Sequence, residues 1–168
     1  MDRKQNTDFI KIFDKVTGRP IYKSLTLDVL TQTSDSDLTQ LIIDNIEINN
    51  KRKTDGEIYY NLNKGQQLVY STHVLETQIF DGGFGAFYFN TNSQLNEFIE
   101  TDLRTLGADL LADIVAKANN IDRLVRVGQA IPEDIYPLDK EFSETLETEN
   151  LDRKRVNFIR DNPIQFIN

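Results

Sequence analysis

Apolar residues recur every three or four positions along most of the chain, which is the spacing of amphipathic helices. The most regular stripe lies within residues 93–107, and its members are Leu95, Phe98, Ile99, Leu103 and Leu106. A second stripe follows in residues 108–118, with Leu111, Ile114, Val115 and Ala118. The same spacing predicts further helices at residues 8–16, 33–48, 66–79, 138–147 and 151–162. We therefore expect a mainly α-helical fold.

Polar and turn-forming segments separate these stripes. Residues 49–65 are polar and rich in turn residues, which predicts a loop with one short extended piece. Residues 131–137 are bracketed by two prolines and are also predicted as a loop, whereas residues 21–30 fit either a helix or extended chain. The prediction is a single-domain array of short antiparallel helices over residues 1–168, with at most a minor β element. Residues 1–33 form a lead with a short helix, 34–160 the helical core and 161–168 a tail.

The stretch QIFDGGFGAFYFN, residues 78–90, is the densest cluster of glycines and aromatics in the chain. Gly83 and Gly85 fit the first two positions of a dinucleotide-binding G-x-G-x-x-G motif, but Tyr88 occupies the third. The stretch also follows a predicted helix, whereas that motif follows a strand. These residues therefore favour a turn in the fold over a ligand-binding loop.

That turn can be predicted residue by residue. Gly82 and Gly83 lie where the helix over residues 66–79 ends, and glycine there can adopt positive φ without steric cost. Phe84 and Phe87, with Tyr88, follow at helical spacing and should face the core. Asn90 can close the short second helix. The prediction is a helix–corner–helix unit that its aromatic side chains hold together.

Composition excludes several classes of site. The 168 residues include no cysteine, so disulfides, thiolate zinc sites and cysteine nucleophiles are ruled out. No apolar run approaches the ~20 residues of a membrane helix, and the N-terminal residues show no secretory signal. We expect a cytoplasmic protein that does not bind membranes.

Catalytic motifs are equally scarce. His73 is the only histidine, no G-x-S-x-G elbow or phosphate-binding glycine loop is present, and no Glu-x-x-His pair suggests a metal carboxylate site. The sequence therefore predicts a protein that is not an enzyme and needs no cofactor or metal. An enzyme that uses carboxylates is the alternative; it would need two acids buried together, for example Glu76 with Asp81, and a pocket beside the glycine corner.

The acidic residues are concentrated in one region. Residues 76–152 contain sixteen acidic and five basic residues, and residues 133–152 contain eight acids against the single base Lys140. Such a region disfavours direct binding to nucleic acid and favours a basic protein partner, although a merely solubilising surface is the simpler alternative. The candidate partner-binding acids are Glu97, Glu100, Asp109, Asp113, Glu133, Asp134, Asp139, Glu141, Glu144, Glu147 and Glu149. Arg104, Arg123 and Arg126 could interrupt this surface.

The glycine stretch also carries a family resemblance. Asp81-Gly82-Gly83-Phe84-Gly85-Ala86-Phe87-Tyr88-Phe89-Asn90 resembles the Asn-Gly-Gly-Phe-x-Gln-(Phe/Tyr)-Phe-x-Asn motif of a bacterial domain family. The family is typified by a DNA-mimic protein, and most of its members are uncharacterised. The resemblance extends over about residues 34–160 and includes the Leu-Gly-Ala between the two clearest helices. Asp81 and Ala86 stand where the family commonly has Asn and Gln.

The resemblance implies a mainly helical, non-enzymatic protein whose acidic surface occupies the DNA-binding surface of a basic protein, such as a DNA-binding regulator. A homodimer would double the acidic array. The alternative is an immunity-type protein that caps a toxin, with aromatic side chains such as Tyr59 or Tyr60 at the centre of the interface. Binding that weakens steeply with salt would favour the first reading, and binding that resists salt would favour the second.

Overall fold

Helices make up most of the computed structural model, which describes residues 11–13, 18 and 20–168. Over those residues the α-helices are α1 (Leu27–Gln32), α2 (Asp35–Asn49), α3 (Asp55–Asn61), α4 (Lys64–Asn90), α5 (Asn96–Thr105), α6 (Asp109–Arg126), α7 (Tyr136–Glu149) and α8 (Leu151–Asp161). Short 3₁₀ turns cover Pro132–Ile135 and Pro163–Gln165. The predicted mainly α-helical fold is confirmed.

A small β-hairpin precedes the helices. Strand β1 (Lys11–Phe13) pairs antiparallel with β2 (Pro20–Tyr22), with Ile12 opposite Ile21. The helix predicted over residues 8–16 is therefore wrong at Lys11–Phe13, and the rest of that stretch lies outside the described residues. A short apolar run fits either period, and pairing with β2 decides it. The ambiguous residues 21–30 supply both the end of β2 and the start of α1.

Two segments predicted as loops contain helix. Residues 55–61 form α3, which begins with a capping box: the Thr54 hydroxyl accepts from the Glu57 backbone N–H, and the Glu57 carboxylate accepts from that of Thr54. Residues 132–135 form a 3₁₀ turn that runs directly into α7. Pro137 does not interrupt α7, because it lies in the first turn of the helix, where the missing N–H would have no intrahelical acceptor. Both segments are rich in turn-forming residues, so the sequence did not predict where these helices begin.

Helix α4 lies at the centre of the fold and packs against α2, α5 and α7. Helices α5, α6 and α7 form a layer of neighbours in which α6 contacts both of the others. Arg104 of α5 bonds Asp113 of α6, while Asn96 bonds Asp122, so α5 and α6 are antiparallel. The predicted stripes face inward: Leu95, Ile99, Leu103, Leu111 and Val115 are all fully buried.

Candidate functional site

The glycine stretch forms a sharp corner in α4. Gly83 has φ of 74°, in the left-handed region that favours glycine, while Gly82 is extended with φ of −174°. Phe84 and Phe87 follow the corner with 0% of their surface exposed, and Phe84 meets the Phe142 ring of α7 edge to face. The predicted helix–corner–helix is confirmed, and α4 ends at Asn90 as expected.

Asp139 of α7 holds this corner. Its Oδ1 accepts a hydrogen bond from the Phe84 backbone N–H at 2.8 Å, which caps the helix that restarts there. A Cβ added at Gly83 would lie 2.5 Å from Asp139 Oδ2. Asp139 is half-buried, so its carboxylate serves the fold and is not part of an outer acidic face.

Six of the candidate acids line the outer side of α5, α6 and α7: Glu100, Asp109, Asp113, Glu141, Glu144 and Glu147. We call this set the acidic ridge. Arg104 joins its first half, since its guanidinium lies 3.0 Å from Glu100, 2.8 Å from Asp113 and 3.8 Å from Asp109. The hydrogen bonds to Asp113 and Glu100 raise the pKa of Arg104. The predicted interruption by Arg104 is thus present.

Lysines join the second half of the ridge. Asp109, Asp113 and Lys117 recur at four-residue intervals on one side of α6, and Lys117 Nζ lies 3.0 Å from Glu141 on α7. One turn further, Glu144 contacts Lys140 at 3.5 Å. Glu147 follows at the next turn of α7, exposed, and no partner for its carboxylate is found among the described residues.

The remaining candidate acids lie apart from the ridge. Glu149 is turned inward, where it accepts from the Leu111 backbone N–H at 3.4 Å at the start of α6. Glu97 accepts from the Tyr60 hydroxyl at 3.2 Å on the α3 side. Asp134 accepts from the backbone N–H of Ile131 at 3.1 Å, within its own turn. Glu133, beside it, is exposed.

A cleft of about 350 Å³ opens beside the glycine corner. Its lining includes Gly85, Tyr88, Phe89, Val125, Pro132 and Ile135, from α4, α6 and the 3₁₀ turn before α7. Asp122 and Arg126 also line it and form an ion pair at 2.8 Å. From the sequence, a pocket beside this corner was expected only as a requirement of the carboxylate-enzyme alternative, and its lining was not predicted. The available signal was Phe89, an aromatic residue that does not belong to the buried face of Phe84, Phe87 and Tyr88.

A model of the DMP19-like protein family matches residues 60–162, which is more than half of the chain. The chain belongs to this family. The matched segment contains the glycine corner, the acidic ridge and the cleft, whereas the resemblance had been expected to begin near residue 34. No curated protein and no solved structure matches the sequence.

Outside the ridge and the cleft, the DMP19-like chain carries a polar cluster where α2, α4 and α8 meet. Arg155, only 2% exposed, forms an ion pair with Glu76 and lies 3.6 Å from Asp152. Burial, together with the charge of Arg155, lowers the pKa of the neighbouring His73. Asp81 is exposed, so Glu76 and Asp81, the example given for the carboxylate-enzyme alternative, are not two acids buried together.

The two tyrosines expected at a toxin interface differ in their exposure. Tyr59 is 3% exposed, stacks on Phe98 and donates to Asp102 at 3.2 Å, so of the two candidate tyrosines only Tyr60 is accessible to a partner. Burial raises the pKa of Asp102, which also accepts a hydrogen bond from the Ser71 hydroxyl at 2.6 Å.

Across residues 20–168, no three His, Asp or Glu side chains are grouped to hold a metal ion. No helix there has the length and apolar character to cross a membrane.

Proposed function

We propose that this protein is a non-enzymatic DNA mimic, whose acidic ridge occupies the DNA-binding surface of a basic protein such as a DNA-binding regulator. The observation that carries the proposal is the ridge itself, which lies within the segment matched by a family named after a DNA mimic protein. Acids from three adjacent helices meet on one side of the layer formed by α5, α6 and α7.

The spacing of the ridge supports this role. Glu141, Glu144 and Glu147 recur every three residues on α7, which corresponds to one acid per ~4.5 Å of helix. A DNA strand carries one phosphate per ~3.4 Å. Asp109 and Asp113 on the neighbouring α6 supply a second row, and packed helix axes lie ~8–10 Å apart. That separation is within the ~6–12 Å range of the widths of the DNA grooves.

The ridge is less strongly charged than DNA, because Arg104, Lys117 and Lys140 neutralise part of it. Glu147 is the ridge-side acid without such a partner in the described part of the chain. Electrostatic attraction alone would therefore give modest affinity that falls with salt. A homodimer that presents two ridges side by side to the partner would double the acidic array.

The proposal can be tested by capture from a lysate of the native host. The test variant carries Glu144→Lys and Glu147→Lys; the control carries Asp28→Lys and Asp161→Lys, two exposed acids on α1 and α8 with the same total charge change. We expect the wild type and the control to capture the same DNA-binding protein and the test variant to lose it. Equal capture by all three would refute the proposal. A partner that all three retain at high salt would favour the immunity-type alternative.

A further inference from the structure

We propose that the cleft beside the glycine corner is an anchor site for an apolar side chain of a basic protein segment, one in which Leu or Phe is flanked by Arg or Lys. The inference rests on the proposed function, since it concerns the same basic partner. It adds a second contact beside the electrostatic contact of the acidic ridge.

The surroundings of the cleft are unusually apolar for an exposed surface. Four side chains at or next to its lining are largely exposed: Phe89 at 85%, Val127 at 60%, Ile131 at 58% and Tyr136 at 57%. Phe89 lines the cleft itself, and the other three are sequence neighbours of its lining residues Arg126, Pro132 and Ile135. Exposed apolar side chains beside a cleft are a feature of interaction sites.

The cleft has room for a side chain. Its volume of about 350 Å³ is bounded below by Tyr88 and Ile135, which are 6% and 5% exposed. A Cβ built on Gly85 meets no atom within 4 Å, and Gly85 does not have the positive φ of Gly83. Neither backbone conformation nor close packing therefore requires glycine at position 85, and its lack of a side chain leaves the wall of the cleft open.

Charge identifies the occupant. Glu133 and Asp134 lie in the 3₁₀ turn between two lining residues, both exposed, and Glu133 is unpaired within the described chain. The cation of the cleft, Arg126, is already bound to Asp122 and to the Ser93 hydroxyl. The edge of the cleft therefore favours cationic neighbours around the anchor. A second copy of this chain would instead bring the same acids against these ones.

An apolar anchor would change how the partner is selected. Phosphate-like charge attracts any basic surface, whereas a buried apolar contact discriminates among such surfaces. Its contribution is also insensitive to salt, unlike that of the ridge.

Amide NMR titration with synthetic peptides tests the inference. The probe is acetyl-Arg-Arg-Leu-Arg-Arg-amide, and the two controls replace its Leu by Ala or its four Arg by Glu. We expect the Leu probe to shift the signals of Val125 and Ile135 in the wild type, and to bind at least about tenfold more tightly than either control. Equal binding of the Leu and Ala peptides would overturn the inference.

Variants separate the cleft from the rest of the surface. Gly85→Leu fills the cleft and Phe89→Ser removes an exposed ring from its edge, while Thr101→Leu adds the same side chain to an exposed position on α5. We expect the first two to weaken binding of the Leu peptide about tenfold and the third to leave it unchanged. Unchanged binding by both Gly85→Leu and Phe89→Ser would also overturn the inference.

The ridge variant distinguishes the two proposals. Glu144→Lys with Glu147→Lys should leave the roughly tenfold preference for the Leu peptide over the Ala peptide nearly unchanged, because those residues do not line the cleft. Peptide binding combined with no loss of capture by the ridge variant would retain the cleft and reject the DNA mimic. Loss of capture without peptide binding would do the reverse.

Discussion

The Asp139 carboxylate accepts a hydrogen bond from the Phe84 backbone N–H at 2.8 Å, and this contact joins α7 to the corner of α4. Its other oxygen lies where a side chain at Gly83 would have to begin. One acidic residue thus both caps the second half of α4 and requires glycine beside it. The family motif and the acidic helix are structurally interdependent.

Alanine at each of the two glycines on either side of Phe84 should change the free energy of unfolding in opposite directions. Gly83→Ala places a Cβ at positive φ and 2.5 Å from Asp139, so we expect it to lower the free energy of unfolding by at least ~2 kcal/mol. Gly85→Ala meets open space within a helix and should raise it by ~0.5–1 kcal/mol. Urea unfolding followed by circular dichroism measures both. A similar effect of the two changes would contradict the proposed role of the corner.

Removal of the cap should cost stability without loss of the fold. Asp139→Ala leaves the Phe84 N–H without its acceptor, and we expect a loss of ~1–2 kcal/mol in the free energy of unfolding. Asp139→Asn keeps an acceptor oxygen and should recover much of that loss. The same urea titration compares them. If Asp139→Ala is as stable as the wild type, the hydrogen bond does not hold the corner.

Arg104 should weaken the electrostatic attraction between the acidic ridge and a basic partner. Its guanidinium is shared by Glu100, Asp109 and Asp113, so Arg104→Gln raises the negative charge of the ridge without removing an acid. We expect tighter binding to the captured partner and a steeper dependence on salt, with little change in the urea midpoint because exposed ion pairs contribute little. Weaker binding would show that Arg104 itself contacts the partner.

His73 is the only histidine, so the protein gives a single imidazole titration signal. Burial and the nearby Arg155 lower the pKa of His73 in the folded protein, whereas in the unfolded chain it is near ~6.5. Between those two values the unfolded state binds more protons, so stability should fall as the pH falls through that window. The imidazole C2–H signal in proton NMR should titrate below ~6.5. A midpoint at or above that value would contradict the lowered pKa of His73.

The periodic stripes were sufficient to predict most of the helices, because a helix that buries one face has apolar residues every three or four positions. The α3 helix was missed although its capping pair, Thr54 and Glu57, is visible in the sequence, since the surrounding residues resemble a loop. Lys11–Phe13 pairs with Pro20–Tyr22, a strand further along the chain, and local spacing does not report such a pairing.

The candidate site was less predictable than the fold. Sequence spacing grouped Asp139 and Glu149 with the other acids of α7, yet both carboxylates accept hydrogen bonds from the backbone of other helices. Those contacts depend on tertiary packing and leave no local signal. The lining of the cleft was missed for the same reason, because residues 85–92, around the end of α4, come together with residues 122–135, a later part of the chain.

The most direct test of the DNA-mimic account is competition by DNA itself. The immobilised protein is loaded with host lysate, eluted first with duplex DNA at low salt and then with high salt, and each eluate is identified by mass spectrometry. The account predicts that a DNA-binding protein is released at the DNA step and is missing from the Glu144→Lys, Glu147→Lys column. A specific partner that remains bound through the DNA step, on both columns, would contradict it.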